Sequence, residues 1–293
     1  MLRGLLSLLL LASVSAPLSG APISPVHDFN PVALLELDPI PQKQHDAVAP
    51  VLQAKAGLVM DADTGLILYE KNSQIPLAMA SLTKIMTAVI ILESHSLDEV
   101  VTINDNYNTL AGVKIGLQKN EKITVGNLLM GLLIRSGGDA ALALAKFHSD
   151  SVPAFVEAMN QKATLLHLEH TRFQNPIGLD EEGHYSTAYD LALLTKQAMR
   201  HRAFRAIVRL PEADISSVDG QIHHSFKNTD QLLGGYLNVI GVKTGTTDAA
   251  GESIINWAQG PAGQNILAIV LDSPDRFQEN KSLMDWAFRN FFW

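Results

Sequence analysis

The sequence predicts an α+β fold: a five-stranded antiparallel sheet covered by helices, with a helical block forming a second lobe. Three observations carry this. A hairpin pattern, "AGLVMDADTGLILYEKN", stands near the start. Three strand-like runs, "LNVIGVKTG", "ESIINWA" and "NILAIVLDS", stand near the end. The stretch between them reads mostly as helix. Strands separated by a block of helices argue against alternating βαβ units. A cleft between two such lobes is where a site is expected.

Taken in order, the N-terminus has Arg3, an apolar run from Leu5 to Val14, then small residues. That is the layout of a secretory signal, assigned to 1–21. The run is too short to span a bilayer. Pro17 and Pro22 lie close to both candidate cleavage points, so the cut is not placed. Residues 22–50 are rich in proline and aspartate, show no sustained period and read as an extension or linker. The rest, 51–293, reads as one domain.

The hairpin turns at "DADTG" between two apolar runs. A helix opened by Ser81 follows, and then a mixed segment from Leu97 to Lys122. Thr124 is a fair N-cap for a helix in which Val125, Leu128, Leu129, Leu132 and Leu133 recur at helical spacing. Gly137 and Gly138 interrupt it, and Asp139 lies in the first turn of the next helix. "VPAFVEAMNQKATLLHL" and "STAYDLALLTKQAMR" read as further helices, with "FQNPIGL" as a loop. The three final strands are joined by Gly-containing turns, and an amphipathic helix covers roughly Arg276 to Phe291.

The 293 residues carry a net charge of −8 and no cysteine. The acidic balance argues against nucleic acid, which wants a basic face, and against an anionic membrane surface. Lack of cysteine removes disulfides, Cys-ligated zinc and thiol catalysis, and excludes lipid attachment after the apolar run. His167 and His170 have no third partner at a recognisable metal spacing and read as surface residues. His223 and His224 read as solvated or as the rim of a cleft. No metal and no cofactor is expected.

The chemistry concentrates in "ASLTK". In a helix, Ser81 and Lys84 lie one turn apart on one face. A serine hydroxyl is a poor nucleophile until a base takes its proton. A lysine serves as that base if burial disfavours its ammonium form. The helix start adds free N–H groups and a positive dipole end. Alone, S-x-x-K is a weak signal that reads as an N-cap serine and a surface lysine. Here it is followed by Ser136 in "RSGGDAA", at a helix break, and by "GVKTGTTDAAG" on a predicted strand. Lys243 and the Thr244 hydroxyl suit a carboxylate, and Gly245 lets a substrate backbone approach. Three such elements in this order mark class A β-lactamases and penicillin-binding proteins.

From about Ala56 to Phe292 the sequence resembles the serine D-alanyl-D-alanine carboxypeptidases, the low-molecular-mass penicillin-binding proteins. "VMDADTG", "ASLTKIMTA", "TRFQNPIGLD", "STAYDLA" and "KTGTTDAAGES" carry the resemblance along with the three motifs. It implies a β-lactamase or penicillin-binding transpeptidase-like fold and removal of the terminal D-alanine from peptidoglycan stem peptides through an acyl-enzyme. It implies that Ser81 is the nucleophile, Lys84 its base and Ser136 a proton relay. Lys243 then binds the substrate carboxylate, with Thr244 and Gly245 beside it, and β-lactam antibiotics are covalent inhibitors.

Two departures stand out. The family's second motif is usually S-x-N, and Gly138 stands at its third position. The amide that would bond the lysine and the acyl chain is missing, the glycine frees space beside the nucleophile, and Asp139 or a water is left to compensate. Losing such a bond costs roughly tenfold to a thousandfold in rate. Second, many members add a β-rich domain and a basic amphipathic anchor. This chain stops at Trp293, so the expectation is a single-domain, secreted form without a stable membrane anchor, in the periplasm or otherwise outside the cytoplasmic membrane. Alternatives to carboxypeptidase action are D,D-endopeptidase cleavage of cross-links and, given Gly138, a poorly active peptidoglycan-binding homologue. A β-lactamase is disfavoured, since no E-x-x-L-N loop lies between Ser136 and Lys243.

Overall fold

The computed structural model describes residues 40–44 and 46–293. The expected signal over 1–21 and most of the expected extension lie outside the described residues. In chain order, β1 (Gln42–Lys43) precedes the hairpin β2 (Ala56–Asp61) and β3 (Ile67–Lys71). A 3₁₀ turn (Ala80–Thr83) runs into α1 (Lys84–Ser94). Next come β4 (Val100–Thr102), β5 (Lys122–Thr124), α2 (Val125–Leu133) and α3 (Gly138–Ser149). They are followed by α4 (Val152–Leu165), α5 (Ala188–Met199), α6 (Arg202–Val208) and a hairpin of β6 (Glu212–Ser216) and β7 (His223–Lys227). The chain then forms β8 (Val239–Thr247), β9 (Gly251–Gln259), β10 (Asn265–Ser273), α7 (Arg276–Asn290) and β11 (Phe291–Phe292).

The main sheet is the expected one, ordered β3-β2-β10-β9-β8 with every neighbour antiparallel. Successive side chains of a strand point to opposite faces, and here both faces are covered. Along β10, Leu267, Ile269 and Leu271 enter the core shared with the helical lobe. Ile266, Ala268 and Val270 enter a second core beneath α7. That is why the strand reads as an unbroken apolar run.

The helix starts follow from their caps, in which a side-chain oxygen takes an otherwise unpaired N–H. Thr124, Ser151, Thr187 and Asp275 accept from the N–H groups of Asn127, Ala154, Asp190 and Gln278. Helix α1 is buried from Lys84 to Ile91. A helix apolar on every side belongs in a core, and α1 runs through the middle of the lobe. One expectation is corrected at its head. Ser81 does not open an α-helix; it lies in the 3₁₀ turn, and α1 begins at Lys84. Ala80 has φ +47, and the Thr83 hydroxyl bonds back to the Ala80 carbonyl at 2.8 Å, which tightens the turn.

Helix α6, the strand pairs β4–β5 and β6–β7, and a contact of β1 with β11 were not expected. The β6–β7 hairpin is fastened to the lobe by Asn127 Nδ2 on the Ser216 carbonyl (2.9 Å) and by Val218 N–H on the Lys122 carbonyl (2.7 Å). His224 corrects its expected rim position: it is buried, with Nε2 2.8 Å from Glu121 Oε1 and Nδ1 3.1 Å from the Ile115 carbonyl. His167 and His170 are exposed. Among the described residues no helix is long and apolar enough to cross a membrane.

Phe155 on α4 is fully buried, with its ring edge-on to His148. Phe155→Ala is expected to destabilise the chain by about 3–5 kcal/mol through the cavity it leaves, read as a lower urea midpoint with unchanged slope.

Candidate active site

The site is built around Lys84. Its side chain is 1% exposed, and Nζ lies 2.8 Å from Ser81 Oγ and 2.5 Å from the Ile177 carbonyl. The Ile177 carbonyl can only accept. A neutral Lys84 amine therefore spends one hydrogen on Ile177 and can present its lone pair to the Ser81 hydroxyl. Burial is the main force pushing the Lys84 amine well below the usual lysine range; the Lys243 ammonium adds to it and Asp139 opposes it. A desolvated ammonium is costly, and two adjacent buried amines resist carrying two charges at once.

Lys243 is also 1% exposed, with Nζ 3.0 Å from the Thr244 carbonyl. Burial and then Arg276 push its amine down to about 7, against the pull of Asp230. Burial thus lowers both amines, and a charge on Lys243 disfavours a second one on Lys84. The Thr244 hydroxyl bonds Thr229 Oγ1 at 2.7 Å, and Thr229 N–H reaches the Ile134 carbonyl at 3.2 Å. These bonds tie the edge strand β8 to the end of α2. Gly245 presses on the Ser81 turn: a Cβ there would stand 3.0 Å from both the Ser81 nitrogen and the Ala80 Cβ.

Ser136 is buried between α2 and α3 with φ +69. Among the described residues it makes no direct hydrogen bond to Lys84. The neighbouring Gly138 lies against Ile177, whose carbonyl holds Lys84: a Cβ at Gly138 would meet Ile177 Cγ2 at 3.2 Å and Leu110 Cδ2 at 3.3 Å. The expectation that Gly138 opens space is therefore corrected, because Leu110, Val113 and Ile177 already fill it. Asp139 does not replace an amide either. Its carboxylate is fully buried and accepts from the N–H groups of Ile115, Gly116, Leu117 and Ala140. It anchors the loop that covers Gly138.

Three contributors were not among the expected site residues. The first is the loop at "NPIGLD". Asn175 Oδ1 accepts from the N–H groups of Ile177, Gly178 and Leu179, which aims the Ile177 carbonyl at Lys84. Gly178 has φ +89, and a Cβ there would stand 1.9 Å from the Ala80 carbonyl, so only glycine lets this loop lie on the Ser81 turn. The second is Arg276, whose Nη1 donates to the Gly245 carbonyl at 2.9 Å and also bonds the Thr246 hydroxyl. An arginine at the first residue of α7 sits at the wrong end for the helix dipole, a signal readable in the sequence. The third is His184. Its Nδ1 accepts from the Gln174 N–H (2.9 Å), and its Nε2 faces Thr83 Oγ1 (2.8 Å), whose own hydrogen goes to Ala80. That pattern requires neutral imidazole protonated on Nε2. No group of three or more side chains able to hold a metal ion occurs among the described residues.

Burial pushes His184 down to about 4, against Glu181 and Asp180. The unfolded chain therefore binds more protons between about pH 6.5 and pH 4, and this group's stabilisation is lost as pH falls through that window. It amounts to about 3 kcal/mol at most. In urea titrations the wild type is expected to lose more stability than His184→Gln between pH 7 and pH 4.

A family profile described as D-alanyl-D-alanine carboxypeptidase, peptidase S11, matches residues 43–275. D-alanyl-D-alanine carboxypeptidase DacF of Bacillus subtilis is 35% identical over 247 residues, covering 82% of this chain and 63% of the relative. A D-alanyl-D-alanine carboxypeptidase of Streptomyces is 34% identical over 258 residues, covering 82% of this chain and 88% of the relative. The crystal structure of a Streptomyces DD-transpeptidase superposes with a TM-score of 0.77 at 31% identity, over 83% of this chain and 99% of that one. The chain spans 63% of the length of DacF, and the same share of Escherichia coli DacC. With the profile match over residues 43–275 and these identities, the chain belongs to the D-alanyl-D-alanine carboxypeptidase family, peptidase S11.

Proposed function

We propose that this protein is a serine D,D-peptidase that removes the terminal D-alanine from peptidoglycan stem peptides through an acyl-enzyme, outside the cytoplasmic membrane. The observation that carries the reading is the buried Lys84 amine, 2.8 Å from Ser81 Oγ. Ser81 attacks the carbonyl of the penultimate D-alanine and its proton passes to Lys84. The terminal D-alanine leaves as an amine that takes up that proton, with Ser136 as relay. Water then splits the ester, with Lys84 again as base. Lys243, Thr244 and Arg276 hold the terminal carboxylate, and Gly245 gives the substrate backbone room along β8. β-Lactams, which offer a reactive carbonyl beside a carboxylate, acylate the same serine. The signal layout at 1–21 supports secretion, as does a family whose members are named for a cell-wall peptide.

Gly138 does not force a merely binding role. The Lys84 amine has its partners in Ser81 and Ile177 without an amide at position 138.

The decisive experiment pairs labelled penicillin with product analysis on a pentapeptide ending in D-Ala-D-Ala. Wild type is expected to label and to release D-alanine, and Ser81→Ala to do neither while staying folded. Labelling of Ser81→Ala at the wild-type rate would sink the reading.

The two amines also set a pH profile. kcat/KM on the peptide acid is expected to rise as Lys84 loses its proton and to fall above about pH 7, where free Lys243 loses its charge. A substrate with an amide in place of the terminal carboxylate keeps the rising limb and lacks the falling one. Lys84→Arg loses the rising limb and most activity, since arginine stays charged.

A further inference from the structure

Strand β8 is an edge of the main sheet, so one row of its backbone groups is open to an extended visitor. Alternation along the strand turns Lys243, Gly245 and Thr247 to one face. The first two meet the residues of the site: Lys243 stands beside Lys84, and Gly245 lies against the Ser81 turn. Thr247 makes the third contact. Its hydroxyl donates to Asp180 Oδ1 at 2.6 Å, and Asp180 Oδ2 accepts from the Ala249 N–H at 3.0 Å. Thr247 Oγ1 itself accepts from the Ala250 N–H at 3.1 Å, which leaves its own hydrogen for Asp180. One carboxylate thus grips the end of β8 and the turn that follows it.

Asp180 belongs to the loop that also serves Lys84. Asn175 Nδ2 donates to the Leu179 carbonyl (3.1 Å) and to Glu181 Oε2 (3.0 Å), while its Oδ1 holds three N–H groups of the same loop. Residues 175–181 are therefore braced as one piece. That piece is fastened in three places: by the Ile177 carbonyl on Lys84, by Gly178 against Ala80, and by Asp180 on β8. Ile177 and Gly178 are buried, whereas Asp180 is exposed and Thr247 half-buried. The third attachment is the one for which water competes, and it joins the two walls of the cleft.

We propose that Asp180 is a specificity-determining positioning residue: it latches the 175–181 loop to the Thr247 end of β8, so that the loop stands as a fixed wall for the acyl chain of the substrate. The inference rests on the D,D-peptidase reading and deepens it. With the terminal carboxylate at Lys243 and Thr244 and Ser81 opposite Gly245, the residues that precede the penultimate D-alanine run toward Thr247. At about 3.3 Å per residue, Thr247 lies roughly 7 Å beyond Gly245, the span of two residues of an extended peptide. A pentapeptide reaches past that point, and an acetylated D-Ala-D-Ala does not. Asp180 acts through the loop and touches no reacting atom. Unlatched, the loop has to be ordered by the long substrate as it binds, which weakens that binding.

The test measures KM and kcat of the full-length chain on a pentapeptide ending in D-Ala-D-Ala and on acetyl-D-Ala-D-Ala. Wild type is expected to favour the pentapeptide. In Asp180→Ala and in Thr247→Val, KM for the pentapeptide is expected to rise about tenfold, the order of one hydrogen bond to a charged group, with its kcat and the kinetics of the acetyl dipeptide little changed. Thr247→Ser keeps the hydroxyl and is expected to behave as wild type. The double variant Asp180→Ala/Thr247→Val is expected to match Asp180→Ala, because both substitutions cut the same bond. Melting and the extent of penicillin labelling check that each variant is folded with a working nucleophile; a merely structural role would lower the active fraction without separating the two substrates. A pentapeptide KM that moves in neither single variant overturns the latch. An equal loss on both substrates overturns its role in selecting the acyl chain, and so does a wild type with no preference for the pentapeptide. A wild type inert toward penicillin and both peptides overturns the D,D-peptidase reading itself, and the role of Asp180 with it.

Discussion

One constraint organises this molecule: a lysine amine has to be kept out of water at the head of a buried helix. Charged, it would be expensive there, because an unpaired ammonium in an apolar interior loses far more hydration than a hydrogen bond returns. Burial meets the constraint by pushing the Lys84 amine toward its neutral form. The apolar wall of α1 removes water, Lys243 discourages a second charge, and the Ile177 carbonyl takes one hydrogen. What remains is a lone pair beside Ser81. The cost of burial thus becomes the chemical asset.

Much of the surrounding structure serves that arrangement through loops that cannot hold shape by packing alone. Asn175 collects three backbone N–H groups to aim Ile177. Asp139 collects four, three of them from Ile115, Gly116 and Leu117, and so pins that loop to the start of α3. His184, kept neutral by burial, locks the turn that carries Ser81. Asp139 and His184 are buried and Asn175 is half-buried, and each accepts backbone N–H groups that would otherwise go unpaired. The sheet contributes through β8, whose Lys243, Thr244 and Gly245 reach the cleft from the other lobe, steadied by Thr229 and Arg276.

The sequence made the sheet and most helices legible for physical reasons. Fully apolar runs such as "NILAIVLDS" have two cores to fill, and a capped helix announces itself through Thr124. The β6–β7 hairpin escaped because only Ile215, His224 and Phe226 of its strands turn inward. Its Asp219-Gly220 turn was a hairpin signal standing in polar surroundings. In the site, side-chain motifs could be read and backbone partners could not. Nothing in the letters says that the Ile177 carbonyl faces Lys84, although "NPIG" with its left-handed glycine hints at a constrained loop. Gly138 was misjudged because the residues that fill its space, Leu110 and Val113, come from a segment with no period of its own.

The most direct test of this account is a titration of Lys84 itself, by ¹⁵N NMR of the lysine Nζ, with Lys84→Arg used to assign the signal. A midpoint well below the ordinary lysine range is predicted, moving upward in Lys243→Gln, where the neighbouring charge is gone. A Lys84 that titrates in the ordinary range, indifferent to Lys243, would contradict the claim that burial makes it the base.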